Sequence, residues 1–347
     1  VSSWLNDVNT SAYGILSAVA GTDAITANAP LTFTSYTRGI RFFFVSAAAN
    51  TGAVTINING LGVKNVTKLS TIPLAVGDIL AGTTYAIMYD GTQFQLLNSS
   101  AEAPVGECRL DYISTTSIKL SRWNGNRLFV NGINCIIPAA GVSLANTSMG
   151  ANALLNIYAV ATAGVITSLE FSGTAHTVDT NFGNKIKTGD PTRVLVGKVY
   201  TDAAGLFLQS ASSQQVLSWF NPFFKGIATS PAAPVPTTSL VPASLISPAL
   251  TCLSWATEAT SIHCGFVLQN NAANAVTFAN IGIDTLAQQA NTVYFQSYIA
   301  NAFGSGTCTY HGILSEGIHT IFATGWVNAG TATFANATTV LSARVQY

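Results

Sequence analysis

Residues 50–62, NTGAVTININGLG, decide what kind of chain this is. Val54, Ile56 and Ile58 alternate with Thr55, Asn57 and Asn59. That period of two puts the apolar set on one face of a strand and the polar set on the other. Gly60 and Gly62 end the run, because glycine turns a chain at least steric cost. Further out, residues 81–97, AGTTYAIMYDGTQFQLL, repeat the pattern. Tyr85, Ile87 and Tyr89 share a face, Asp90-Gly91 suits a tight hairpin turn, and Phe94 and Leu96 lie on the returning strand. Early strands are expected at residues 31–33 and 40–45. The second is apolar almost throughout, so a central strand covered on both faces is the expectation. Together these make a small antiparallel β module over residues 22–100, with no acid, histidine or thiol arranged for chemistry.

The same phrases carry a resemblance. NTGAVTININGLG followed by GDILAGTTYAIMYDGTQFQLL is similar to a β module that recurs in tail fibre and tail-tip proteins of tailed bacteriophages. In that family the phrases tGavtlnvnGlG and YDGtqFqL bracket the domain. The resemblance covers residues 22–98 and implies a virion structural protein without naming its target. Two later stretches add to it. SGTAHTVDTNFGNKIKTGDPTRVLVGKVY with QQVLSWFN (residues 172–221) resembles a second fibre module that tends to follow the first. The ending SEGIHTIFATGWVNAGTATFANATTVLSARVQY resembles the C-terminal jelly-roll heads of phage fibres, similar in outline to trimeric C1q/TNF-like domains.

Composition bounds the alternatives. The 347 residues suffice for two or three domains. Only 8% are charged, against about a quarter in ordinary globular proteins. Hydrophobic residues make up 48%, which is not the composition of a disordered chain. A lone protomer so poor in charge would be poorly soluble, so much of the surface is expected to be covered by identical copies. Between residues 248 and 347 only Glu258, Asp284, Glu316 and Arg344 are charged, while residues 101–226 hold nine Lys/Arg against seven Asp/Glu. No basic patch results, so nucleic acid is not an expected partner. The opening VSSWLNDVNT lacks the basic and apolar parts of a signal peptide. The window 151–169 contains Asn156 and an Ala163-Gly164 break, which suits two strands and a turn rather than a membrane span. Five cysteines without CxxC spacing are expected to be buried free thiols.

In chain order, residues 1–21 show helical spacing at Leu5, Val8, Ala12, Ile15, Leu16 and Val19. A short N-terminal helix is expected there, with Trp4, Leu5 and Val8 as the virion-attachment residues. Residues 101–226 form the second β module. Within it 118–123 should pair with 127–130 across Asn124-Gly125, a second turn at Asn131-Gly132 should lead to 133–137, and 154–160 should pair with 165–171. The proline-rich residues 227–247 read as a semi-rigid linker. Residues 248–347 carry short strands between turn signals, as a sandwich or jelly roll does. The fold class is all-β: tandem small antiparallel modules, then a C-terminal jelly-roll-like sandwich.

His176, Asp179, Asp190 and Arg193 are the one cluster that invites a catalytic reading. A glycosidase sets two carboxyl groups about 5 to 9.5 Å apart in a cleft. Both aspartates sit in turn-like contexts instead, where Asp, Gly and Pro are favoured for local reasons. Ser212 and Ser213 lie near no nucleophile elbow, and no Walker loop, HExxH or zinc spacing occurs. His263, His311 and His319 read as ordinary strand residues rather than ligands on a three-fold axis. No enzyme, metal or cofactor is expected. Receptor-binding candidates lie in loops between C-terminal strands: Asn270, Asn271, Asn274, Asn301, Phe303, Ser305, Asn328 and Asn336. Amides and hydroxyls beside an aromatic suit sugar recognition.

The resulting expectation is a homotrimeric virion tail fibre, assembled in the host cytoplasm and not membrane-embedded. Its N-terminus would join other tail or baseplate proteins, and its C-terminal domain would adhere to a host polysaccharide or outer-membrane protein. The alternatives are a structural capsid fibre or connector without receptor binding, and a polysaccharide-degrading tailspike. The latter would need the long stacking repeats of a β-helix, which the sequence lacks.

Overall fold

The computed structural model describes residues 14–30, 34–68, 70–74, 77–98, 106–287, 292–336 and 338–347. Among them every regular element is a β-strand. None forms a helix long and apolar enough to cross a membrane.

The first module is a ring of strands. Ser17–Ala20, Ala24–Asn28, Val54–Ile58, Lys64–Lys68, Phe94–Leu96, Thr84–Tyr89 and Arg41–Val45 are hydrogen-bonded neighbours in that order. Ile15 then bridges Phe43, and Leu16 N donates to Phe43 O at 2.7 Å, which closes the ring. Closure leaves no bare edge. The alternation in residues 54–58 is realised, with Val54, Ile56 and Ile58 in the core beside Ile87 and Phe94. Asp90 holds its turn by accepting from the backbone N–H of Thr92 (2.8 Å) and Gln93 (2.9 Å).

Three expectations change here. The module is not wholly antiparallel, since closing the ring pairs Ala24–Asn28 with Val54–Ile58, and Lys64–Lys68 with Phe94–Leu96, in parallel. Arg41–Val45 is not covered on both faces: Phe42 and Phe44 point into the ring, while Phe43 and Val45 are about half exposed. A single ring has one inside, and none of the described residues covers the other face at this strand. The expected N-terminal helix is not seen where the chain is described, since Ser17–Ala20 is a strand paired with Ala24–Asn28. Ladder partners and burial of Leu16 outweigh a weak helical spacing. Trp4, Leu5 and Val8, and the strand expected at 31–33, lie outside the described residues.

The second module packs a three-stranded sheet (Val142–Ala145, Ser117–Arg122, Cys108–Ser114) on a larger one running Arg127–Val130, Ile133–Ile136, Val165–Ser172, Leu154–Thr162, Asp190–Tyr200, Lys185–Lys187, His176–Val178. Two of the expected hairpins form. Asn131-Gly132 joins strands with Val130 opposite Ile133, and Ala163-Gly164 joins strands with Thr162 opposite Val165. All four turn residues have positive φ, as the tightest hairpin turn requires. The third does not form: Ser117–Arg122 and Arg127–Val130 belong to different sheets. Glu107 separates them. Its carbonyl accepts from Trp123 N, its own N–H donates to Arg127 O, and its carboxylate accepts from Asn126 N and Arg127 N at 2.7 and 2.8 Å. Asn124-Gly125 is therefore a corner between sheets.

The C-terminal sandwich has one sheet running Ser213–Gln214, Leu250–Ser254, Gly317–Val327, Ala275–Ile283, Val293–Ser297. The facing sheet runs Phe224–Thr229, Val340–Gln346, Ala259–Asn270, Ala332–Phe334, Val235–Thr237, with Phe303–Ile313 on the other side of Ala259–Asn270. The expected linker is thus part of this domain. Phe224–Thr229 pairs with the C-terminal strand, Val235–Thr237 with Ala332–Phe334, and Ala243–Ser244 with Gly317–Val327. Its Ile227, Leu245 and Ile246 are core residues, with Val235 packed against them, between prolines placed on short edge strands and loops, where no ladder N–H is missed.

Candidate binding surface

The strand Ala259–Asn270 sets the axis of the sandwich. Its twelve residues span roughly 36 Å at about 3.3 Å each. At its start the sandwich is joined to the second module. Trp255 Nε1 donates to Ser218 O at 3.0 Å, and the Trp219 and Trp255 rings meet edge to face at 5.1 Å. Glu316 accepts from Lys198 Nζ and from His176 Nε2 (3.0 Å), and Lys198 also lies 4.7 Å from the Trp255 ring centre. Burial works to raise the Glu316 pKa, but hydrogen bonds and charge from Lys198 and His176 hold it below 4.5.

At the far end three loops are tied together around Asn270. Asn270 O accepts from Asn301 N (2.7 Å), its Nδ2 donates to Thr277 Oγ1 and Ala329 O (both 3.1 Å), and its Oδ1 accepts from Ala272 N (2.9 Å). Asn271 pairs with Thr331 through backbone and side chain, and Asn328 Oδ1 accepts from Val276 N at 2.7 Å. The sandwich therefore presents Asn271, Asn274, Asn301 and Asn328 at the end opposite its joint with the second module, all exposed. Asn274 and Asn301 sit in the left-handed region, at φ 57° and 63°, which asparagine tolerates better than most residues. Phe303 and Ser305 are exposed on the adjoining strand.

Two candidates do not belong. Asn270 is wholly buried, with both ends of its amide engaged, so it builds the loops and cannot face a ligand. Asn336 is half-buried and donates to Ala232 O at 3.4 Å; its neighbour Ala335 pairs beside Val267, short of the loop end. Three exposed residues were not among the candidates: Tyr294, Tyr298 and Ile299. The alternation in VYFQSY marks the two tyrosines, since Val293 and Phe295 face inward, and Ile299 follows them. The loops and the strand Val293–Ser297 contain no carboxylate, histidine or thiol. What they offer is amides, hydroxyls and aromatic faces, which suits neutral polar or apolar ligands and provides no acid–base pair.

The cluster considered for catalysis disperses. Asp190 accepts from the Thr192 hydroxyl (2.6 Å) and N–H, and those bonds lower its pKa. Arg193 pairs with Glu170 at 2.7 Å, Asp179 is buried and accepts from Asn181 N, and His176 meets Glu316. The histidines separate too. His263 and His311 lie 5.5 Å apart on one sheet, whereas His319 is buried on the other against Asp284 (2.8 Å) and Ser315 O. No group of three metal-ligating side chains occurs among the described residues. All five cysteines are buried free thiols, as expected.

No protein-family model and no curated protein matches the chain. Among solved structures, a delta-endotoxin, Cry8Ea1 of Bacillus thuringiensis, is 8% identical with a TM-score of 0.25 over 70% of this chain, which spans about half (52%) of the toxin. The infectious bursal disease virus VP2 subviral particle protein is 11% identical with a TM-score of 0.24, covering 70% of this chain and 72% of that one. Eiger TNF from S. frugiperda is 10% identical with a TM-score of 0.23, covering 35% of this chain and 91% of its own. At TM-scores this low, shared strands do not amount to a shared fold.

Proposed function

We propose that the chain is a tail fibre or tail-tip protein of a tailed bacteriophage, a homotrimer that adheres to the host surface through its C-terminal domain. The phrases NTGAVTININGLG and YDGTQFQLL support the viral part of this reading. The observation that carries adhesion is the placement of Asn271, Asn274, Asn301 and Asn328 at the free end of the sandwich, opposite the Trp219–Trp255 joint. Exposed amides on loops fixed by backbone bonds bind by shape and hydrogen bonding, and several copies on one axis raise apparent affinity through effective concentration. The test is flow cytometry of the fluorescently labelled whole chain on a panel of bacterial strains. Saturable binding to a subset of strains is expected, weakened about tenfold, roughly one or two lost hydrogen bonds' worth, in the Asn271→Ala, Asn274→Ala double variant. Binding indifferent to the tip would overturn the assignment of the site, and release of polysaccharide fragments would overturn adhesion without cleavage.

A further inference from the structure

The flank of the sandwich beside the tip has the features of a contact surface. Phe303–Ile313 is paired with Ala259–Gln269 along its eleven residues without a register break, and no ladder forms on its other side among the described residues. Exposed edges are ordinarily protected by lysine, proline, a bulge or shortness. This one contains no Lys, Arg, Asp, Glu or Pro. It runs about 33 Å.

Val293–Ser297, the outermost strand of the facing sheet, lies alongside it. Glycines allow that approach. A Cβ on Gly304 would overlap the Phe295 ring, and one on Gly306 would lie 2.7 Å from Val293 Cγ1. With Val293 and Phe295 turned inward, the outward side chains of the two strands include no Lys, Arg, Asp or Glu, and His311 is the one imidazole among them. Tyr294 is 68% exposed, Tyr298 73%, Ile299 69%, Phe303 73% and Ile313 60%, with Gln296, Ser305 and Thr307 exposed between them. Those five apolar side chains present roughly 700 Å². That approaches the ~800 Å² each partner buries in a standard protein–protein interface.

We infer that this flank is a subunit interface whose occupant is a second copy of this chain. The inference rests on the fibre reading only in that both require self-association. Charge selects the partner. A surface without Lys, Arg, Asp or Glu gains little from a charged protein and would strand that protein's charges. The sandwich itself, with four charged residues from 248 to 347, is a matching surface made in equal amount. Phe303 and Ser305 then belong to the contact between copies, and the four asparagines of the tip remain free for a target.

The experiment is sedimentation velocity on the whole chain at micromolar concentration, with Tyr294→Lys and Thr307→Lys, both at outward positions, and Asn274→Lys as a control at the tip. Wild type and control should sediment as a multimer, and each flank variant should dissociate roughly a hundredfold more readily, because an ammonium must be desolvated at the contact. Hydrogen exchange of wild-type amides 303–313 provides a second readout that needs no variant. Their protection should rise with protein concentration. A protomeric wild type, flank variants as multimeric as the control, or exchange independent of concentration would each overturn the inference. A multimer that binds no cell would sink the fibre reading and leave the interface standing, and a cell-binding multimer that the flank variants leave intact would sink the interface and leave the fibre reading standing.

Discussion

Cutting the chain before Pro248 should leave residues 248–347 unable to fold, although that is where the prolines invite a domain boundary. The deleted segment supplies Phe224–Thr229, which pairs at six positions with the C-terminal strand, and two shorter strands on the same sandwich. It also supplies Ile227, Leu245 and Ile246, at 1%, 3% and 2% exposure. Burying one such side chain contributes about 1.5–3 kcal/mol, so three contribute roughly 5–9 kcal/mol. A whole domain is stable by only about 5–15 kcal/mol, so the loss removes most or all of it. The assay is urea unfolding followed by circular dichroism on residues 222–347 and 248–347. The longer piece keeps Phe223 packed on Tyr347, ring centres 4.6 Å apart and tilted, and should give a cooperative transition. The shorter should give none. A cooperative transition of 248–347 with the midpoint of the longer piece would show that the proline-rich segment is a linker after all.

Three further outcomes are expected. Glu316 has its pKa depressed, so the stability it lends the joint is fully present above its unfolded value near 4.5 and is lost as pH falls through the lower folded value. Fluorescence of Trp219 and Trp255 should therefore change on acidification below about pH 4.5 in wild type and far less in Glu316→Gln; equal titrations in both would refute the role. Burial raises the thiols of Cys252 and Cys264 to about 12 and those of Cys135 and Cys308 to about 11, and raises Cys108 as well. None should react with an aromatic disulfide reagent at mildly alkaline pH until the chain unfolds, and rapid labelling of the native protein would contradict the burial. Asn270→Ala leaves Ala272 N–H and Ala329 O without their partner and should cost about 1–3 kcal/mol in denaturant unfolding. An unchanged midpoint would mean that Asn270 does not hold the loops together.

The fold class was legible because strand alternation is local. Val54, Ile56 and Ile58 share a face whatever they pair with, and Asn131-Gly132 and Ala163-Gly164 make their turns from backbone preference alone. Buried thiols were legible for the same reason, from residue type and spacing. Pairing partners were not, because they depend on residues far away in sequence. Asn124-Gly125 reads as a hairpin until Glu107 is found between its two strands. Arg41–Val45 reads as central until the ring closes on Ile15. The prolines of 231–242 read as a spacer until their neighbours are found in the core.

The candidate binding surface divides in the same way. The sequence alone put Asn271, Asn274, Asn301, Asn328 and Phe303 in loops or at strand ends, because amide-rich, turn-prone stretches interrupt the apolar runs. Only the tertiary structure decided that the four asparagines share one end, that Asn270 lies beneath them, and that Tyr294 and Tyr298 are exposed. The physical reason is that side-chain direction is set residue by residue, whereas burial is set by whichever sheet packs against that face, and in this protein that sheet comes from elsewhere in the chain.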